Sequence, residues 1–167
     1  MTIMARENKK QYDPAPEGLH HAVCVDVVDL GMQPSPWGEK PKVRLVWEID
    51  LVNEKIGKRF IASRQFGLSL SEKSHLRPFL EAWRSRKFTA EELTGFDLEV
   101  LVGVNCQLQI IHNIKDNSTY ANVQAIVPPP KGVPAIRPSE GYVRVKDRPA
   151  QGHSDQPEGG DDDSIPF

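Results

Sequence analysis

The feature that most constrains this chain is a change of hydrophobic period that happens once, near its middle. From 42 to 52 apolar and polar residues alternate. Val43, Leu45, Trp47, Ile49 and Leu51 fall on one side, and Lys42, Arg44, Glu48 and Asp50 on the other. That is the pattern of a strand with one buried face, which makes Trp47 a packing residue. Further on, Leu76, Phe79, Leu80 and Trp83 fall at i, i+3, i+4 and i+7, a single apolar stripe on a helix. Alternation then resumes, so any fold must place strands on both sides of one helical insertion.

Three strands are expected before the helix, over 19–30, 42–52 and 58–70. In the first, Val23, Val25 and Val27 share a face against Cys24 and Asp26. Residues 33–40, with Pro34, Pro36 and Gly38, read as a turn-rich loop carrying Trp37, and 53–57 as a hairpin turn. The third strand leaves its buried face open, and Gly67 suggests a bulge. Ser71 or Ser74 is a candidate cap for the helix, and Pro78 requires it to begin late or kink. Thr89-Ala90-Glu91-Glu92 has capping-box form, and 97–102 suggests one more turn. Two strands follow. Over 104–111, Val104, Cys106, Leu108 and Ile110 point inward; over 119–127, Ala121, Val123, Ala125 and Val127 oppose Tyr120, Asn122 and Gln124. A polar loop, 112–118, joins them, and Pro128-Pro129-Pro130 ends the last strand.

Composition places this pattern in one domain with polar flanks. Hydrophobic residues make up only 38% of 167, and eight of the 14 prolines lie from Pro128 onward. Residues 1–18 read as a flexible arm, 19–130 as the domain, 131–160 as a Pro/Gly-rich linker and 161–167 as an acidic tip. The formal charge of −2 is uneven: residues 1–132 hold 17 Lys/Arg against 16 Asp/Glu, whereas 154–167 hold five acids and no base. An anionic partner must therefore be held by local basic patches. Cys24 and Cys106 sit in apolar runs and read as buried free thiols. No apolar run is long enough to span a bilayer and residues 1–10 do not resemble a signal peptide, so the expected location is the cytoplasm.

Three strands, a helix and two strands within some 110 residues form the element order of an OB-fold, here a mainly β, five-stranded barrel whose helix lies between strands three and four. A small β-sandwich is the competitor, but its strands rarely pause for an amphipathic helix at this point. The stretch from Gly67 through Leu80-Glu81-Ala82-Trp83-Arg84 to Phe88-Thr89 resembles phage-encoded single-stranded DNA-binding proteins, a likeness spread over 12–131 that implies a phage origin.

The last residues carry a second, independent signal. Asp161, Asp162 and Asp163 repel one another and stay in water, while Ile165-Pro166-Phe167 offers an apolar end. Phe167 suits a small pocket on another protein, Pro166 limits the entropy lost on docking, and the carboxylates suit a basic rim. An acidic tail kept for solubility is the plainer alternative. This end resembles the C-terminal tip of bacterial single-stranded DNA-binding proteins, with Ser164 as a departure from the pattern. In that family the tip recruits replication, recombination and repair enzymes, which implies host or phage proteins of those classes as partners.

Gripping an unpaired strand without sequence preference takes cations for phosphates and flat side chains for bases. The expected groove on strands two and three and their flanking loops holds Trp37, Lys40, Lys42, Arg44, Arg59, Phe60, Arg64 and Phe66, joined by Lys115 and Tyr120 from the last hairpin. Each cation taken singly is an ordinary surface charge, and Phe60 and Phe66 are equally suited to the core. Trp37, between Pro36 and Gly38 in a polar loop, has little local reason to be buried. The acidic tail can also reach this groove and mimic phosphate when nucleic acid is absent.

An enzyme is not expected. His20, His21, His75, His112 and His153 lack metal-ligand spacing, and no phosphate-binding loop, nucleophile elbow or Cys-X-X-Cys is present. No metal or cofactor is called for. The expected function is to coat single-stranded DNA and recruit partners. The alternatives are a protein-binding adaptor with a docking tail, or a recombination mediator or annealing protein. A homodimer is a natural way for so small a module to enlarge its footprint, although no stretch specifies it.

Overall fold

The computed structural model of the chain describes residues 13–148. The arm residues 1–12, the linker from 149 onward and the tip therefore lie outside the described residues. Five strands form one antiparallel sheet: β1 (Gly18–Ser35), β2 (Gly38–Asn53), β3 (Lys58–Gly67), β4 (Asn105–Lys115) and β5 (Ser118–Val127). Their order is β3-β2-β1-β4-β5. Helix α1 (Leu76–Arg84) lies between β3 and β4, as the change of period requires. The edge strands β3 and β5 approach each other, but no ladder joins them among the described residues.

Most strands run longer than their sequence pattern suggests, although β3, expected to reach Leu70, ends at Gly67. Residues 33–40 extend the β1–β2 hairpin, with Pro34 opposite Glu39 and Ser35 opposite Gly38. Only these two strands pair there, so a proline can turn its missing donor toward the open side. The loop expected at 112–118 likewise narrows to a two-residue turn. Asp116 and Asn117 take φ of 52° and 63°, the left-handed pair that a tight hairpin needs and that these residue types tolerate.

Bulges overturn three face assignments, one of them at the end of β2, where Leu51, expected inward, is 40% exposed across the slip between Glu48 and Val52. In β1 the register slips between Cys24 and Asp26, so Val23, Val25 and Val28 gather on the outer face while Val27 packs against the inner core. In β4–β5 a slip at Gln109/Ile110 buries Ile126 at 3% exposure and leaves Val127 at 41%. A bulge inserts one residue, and strict alternation beyond it is then out of phase. Gly67 is simply the last residue of β3; the irregularity in that pair lies between Glu48 and Val52. Val104 precedes β4 and is exposed.

Helix α1 seals the inner face. Leu76, Phe79, Leu80 and Trp83 are its buried stripe. The Trp47 ring lies 5.8 Å from Phe79 and 6.0 Å from Trp83, and Trp83 Nε1 donates to Asn105 O at 2.9 Å. Pro78 falls in the first turn, where the missing donor has no helical acceptor, and the Ser74 hydroxyl accepts from Arg77 N. The Thr89–Glu92 capping box forms in both directions, at 3.1 and 2.9 Å, around a short 3₁₀ turn. Asp97 caps a second 3₁₀ turn, Leu98–Leu101.

Both flanks are tied to the sheet more firmly than their composition suggests. Ala15 is buried in the core, and His112 Nε2 bonds Ala15 O at 2.7 Å. Residues 131–148 cross the outer face as a strap. Ile136 and Tyr142 cover Val23, Val25, Val28 and Val46. Four polar side chains on the sheet hold the strap, Arg59 of β3 among them through Arg137 O. Asn105 exchanges bonds with Ile136 N and O, at 2.8 and 2.9 Å. Glu48 accepts from Ser139 N and Oγ. Asp26, 1% exposed, accepts from Tyr142 Oη, Arg144 Nε and Val145 N at 2.8–2.9 Å. The sequence shows the prolines of this stretch; the acceptors that anchor it lie far back along the chain.

Burial raises the pKa of Asp26, but the bonds from Val145, Arg144 and Tyr142 outweigh it and hold the carboxyl below its ordinary 3.8. A lowered folded-state pKa means that its contribution is complete above about pH 4 and is lost as the pH falls through the folded value. The hydrogen-exchange protection factor of the Val145 amide, measured against the intrinsic rate at each pH, should therefore be full at neutral pH and fall below about pH 4. Arg144→Ala, which leaves Asp26 buried without its cation, should cost about 3 kcal/mol in a denaturant melt.

Candidate nucleic-acid interface

Strand register decides which of the expected groove residues meet. Leu45 pairs with Arg64 and Val43 with Phe66, so Arg64 and Phe66 start from the inner face; Arg44 pairs with Gln65, and both point outward with Lys42. On β5, Val123 opposite Ile110 is inward, while Asn122 opposite Ile111 and Tyr120 opposite Asn113 are outward. The gap between the sheet edges thus opens onto the polar outer faces of β2, β3 and β5.

A cleft of about 490 Å³ occupies that gap, lined by Lys42, Arg64, Gln65, Asn122, Val123 and Gln124. Arg64 forms its inner rim. The guanidinium lies 4.8 Å from the Phe66 ring centroid and 5.2 Å from that of Phe79, and Nη1 donates to Val123 O at 3.2 Å. One side chain thereby links the two sheet edges. Burial lowers the Arg64 pKa, yet a guanidinium remains charged at any physiological pH.

The β1–β2 hairpin carries further groups toward solvent. Lys40 is exposed opposite Gln33 on the same face as Lys42. Trp37, in the turn, is 84% exposed. Lys115 is exposed at the end of the β4–β5 hairpin, and Tyr120, half-buried, lies on the face that carries Asn122. Arg44 shares the outer face with Lys42 and Gln65.

Three of the expected residues have structural roles instead. Phe66, at 3% exposure, is core and touches Phe79 at 4.8 Å. Phe60 packs half-buried against the same cluster. Arg59 bonds Glu48 Oε1 at 3.0 Å and Arg137 O at 2.6 Å, which binds β3 to the strap. All three sit in a strand whose sequence left the buried face undecided. The structure adds Gln65, Asn122 and Gln124. Their signal was faint: Asn122 and Gln124 lie on the polar side of an alternating strand, but amides are common on any solvated face. The residues expected to dock a partner, Asp161, Asp162, Asp163, Ile165, Pro166 and Phe167, lie outside the described residues.

His20, His21 and His112 serve the scaffold. His20 bonds Pro16 O at 2.7 Å, and His21 bonds Asn105 Oδ1 at 2.6 Å. Cys24 and Cys106 are buried free thiols; burial, the largest influence, raises both, Cys24 to about 12. Among the described residues no helix is long and apolar enough to cross a membrane. No protein-family model matches the chain, and no curated protein matches it.

Trp47 and Trp83 are buried, so Trp37 is the accessible member of the three tryptophans. A neutral quencher such as acrylamide should suppress only the Trp37 share of native fluorescence, and Trp37→Phe should abolish that share. Phe66→Ala should cost about 3–5 kcal/mol of stability as a core truncation.

Proposed function

We propose that this protein binds single-stranded DNA without strong sequence preference and recruits replication, recombination or repair proteins through its C-terminal tip. In this reading the five-stranded sheet is an OB-type barrel whose β3–β5 seam is left unpaired and serves as part of the groove. The observation that carries the proposal is the convergence of Lys42 and Arg64 with three carboxamides in one open cleft. An exposed indole at the tip of the hairpin that bears Lys40 and Lys42 adds to it. Cations hold phosphates, the carboxamides and Tyr120 face bases, and Trp37 offers a stacking surface. The acidic tip docks the partner. Such a protein works in the cytoplasm, that of a host cell if it is phage-encoded.

Titration of labelled oligothymidine against the full chain tests this directly. Binding should weaken with salt by a log–log slope of about −0.7 for each phosphate contacted. Trp37→Ala should lose about 1–3 kcal/mol of affinity, and Lys42→Ala should weaken binding and flatten the salt slope by one contact. Deleting residues 154–167 should tighten binding at low salt, where a phosphate-mimicking tail competes best. A complex indifferent to salt and to Lys42, or no complex at all, would refute the groove and favour a protein-binding adaptor.

A further inference from the structure

We propose that the strap is itself part of the single-strand interface: a strand leaving the cleft runs along the outer face of β3 and presents a phosphate to Arg137. This rests on the single-strand reading above and adds a second contact point, on an element outside the sheet. The first observation is charge. Residues 1–130 hold 16 Lys/Arg against 16 Asp/Glu, whereas the strap, 131–148, holds five against two. Three of those five are engaged. Arg144 pairs with Asp26 and Glu99, Lys146 lies 3.8 Å from Glu99, and Arg148 lies 5.7 Å from the Tyr142 ring centroid. Arg137 is exposed, and among the described residues no carboxylate pairs with it.

The second observation is place. On the outer face Asn105, Val23, Glu48 and Ile61 form one row across β4, β1, β2 and β3. The strap follows that row from Ile136 at Asn105 to Ser139 at Glu48 and stops short of Ile61, which is 47% exposed. Arg137 stands beside β3, since its carbonyl accepts from Arg59 Nη1. From Ile61 the same face of β3 continues through Ser63 to Gln65, which lines the cleft. At about 3.3 Å per residue this lane is about 13 Å long, so one strand can touch the cleft and the strap together. Its apolar start suits the flat face of a base, and the cation beside it suits phosphate. Glu48, the acid of this row, is buried and already accepts from Arg59 and Ser139, so it does not face the lane as a free charge.

The test titrates full-length variants with oligothymidine of about 16 nucleotides, enough to fill one such domain. Arg137→Gln should bind about three- to tenfold more weakly at low salt and flatten the log–log salt slope by about 0.7, one phosphate. Arg137→Lys should restore the slope. Arg86→Gln, which removes an equal exposed charge just after α1, should change neither quantity. Because Arg59 holds the Arg137 carbonyl and not its side chain, hydrogen-exchange protection of the Val145 amide should be the same in every variant. A full salt slope in Arg137→Gln would overturn the proposal while leaving binding at the cleft intact. So would an equal loss in Arg86→Gln, the mark of overall charge, or a fall in Val145 protection, the mark of a side chain that merely anchors the strap. If the unaltered protein binds no oligothymidine, the single-strand reading fails and this inference fails with it.

Discussion

The contact of Trp47 with Phe79 and Trp83 is the interaction on which the remaining architecture depends. A five-stranded sheet curls until its inner face is covered, and here the cover is one short helix. Three aromatic rings fasten that helix to the middle of β2. Phe66 joins them through Phe79, which brings the free edge of β3 around toward β5. The helix thus does more than fill space. By holding β3 in this position it sets the width of the seam, and Arg64 spans that seam with its charge resting on the same aromatic cluster.

The outer face is divided by what the strap covers. Where Val23, Val25, Val28 and Val46 lie, residues 131–148 shield apolar surface and satisfy the buried carboxylates Asp26 and Glu48. Arg144 serves two acids at once, bonding Asp26 and gripping Glu99 with both terminal nitrogens at 2.6 and 2.9 Å. Toward the Lys42 end the same face is left to water, and there the cations and carboxamides collect. A cleft lined mainly by polar side chains needs a dry, well-anchored support, because loosely held side chains would lose entropy on meeting a ligand.

How much of this was legible beforehand depended on the kind of signal. Trp47 and the stripe from Leu76 to Trp83 were readable because burial imposes a period on neighbouring residues. Trp37 was readable because two turn-forming residues enclose it. The faces of β1, of β5 and of the end of β2 at Leu51 were misread beyond their bulges, since one inserted residue leaves no mark in composition. Arg59, Phe60 and Phe66 were placed with the groove because an alternating strand records that two faces differ, not which one meets water when both carry aromatic and basic residues. Asn122 and Gln65 could not be singled out, as an amide gains meaning only from what stands opposite.

By itself the sequence determined the element order, the helical insertion and the apolar stripe that fastens it, because each follows from contacts within a few residues or a repeating period. It also set the uneven charge that leaves the last residues acidic. Only the tertiary structure decided that a Pro-rich stretch would lie down as a strap, that Arg59 would hold it, and that Lys42, Arg64 and Asn122 would share one cleft. Those outcomes join residues separated by tens of positions, and they depend on bulges and strand order that bring distant side chains together without any local pattern to announce it.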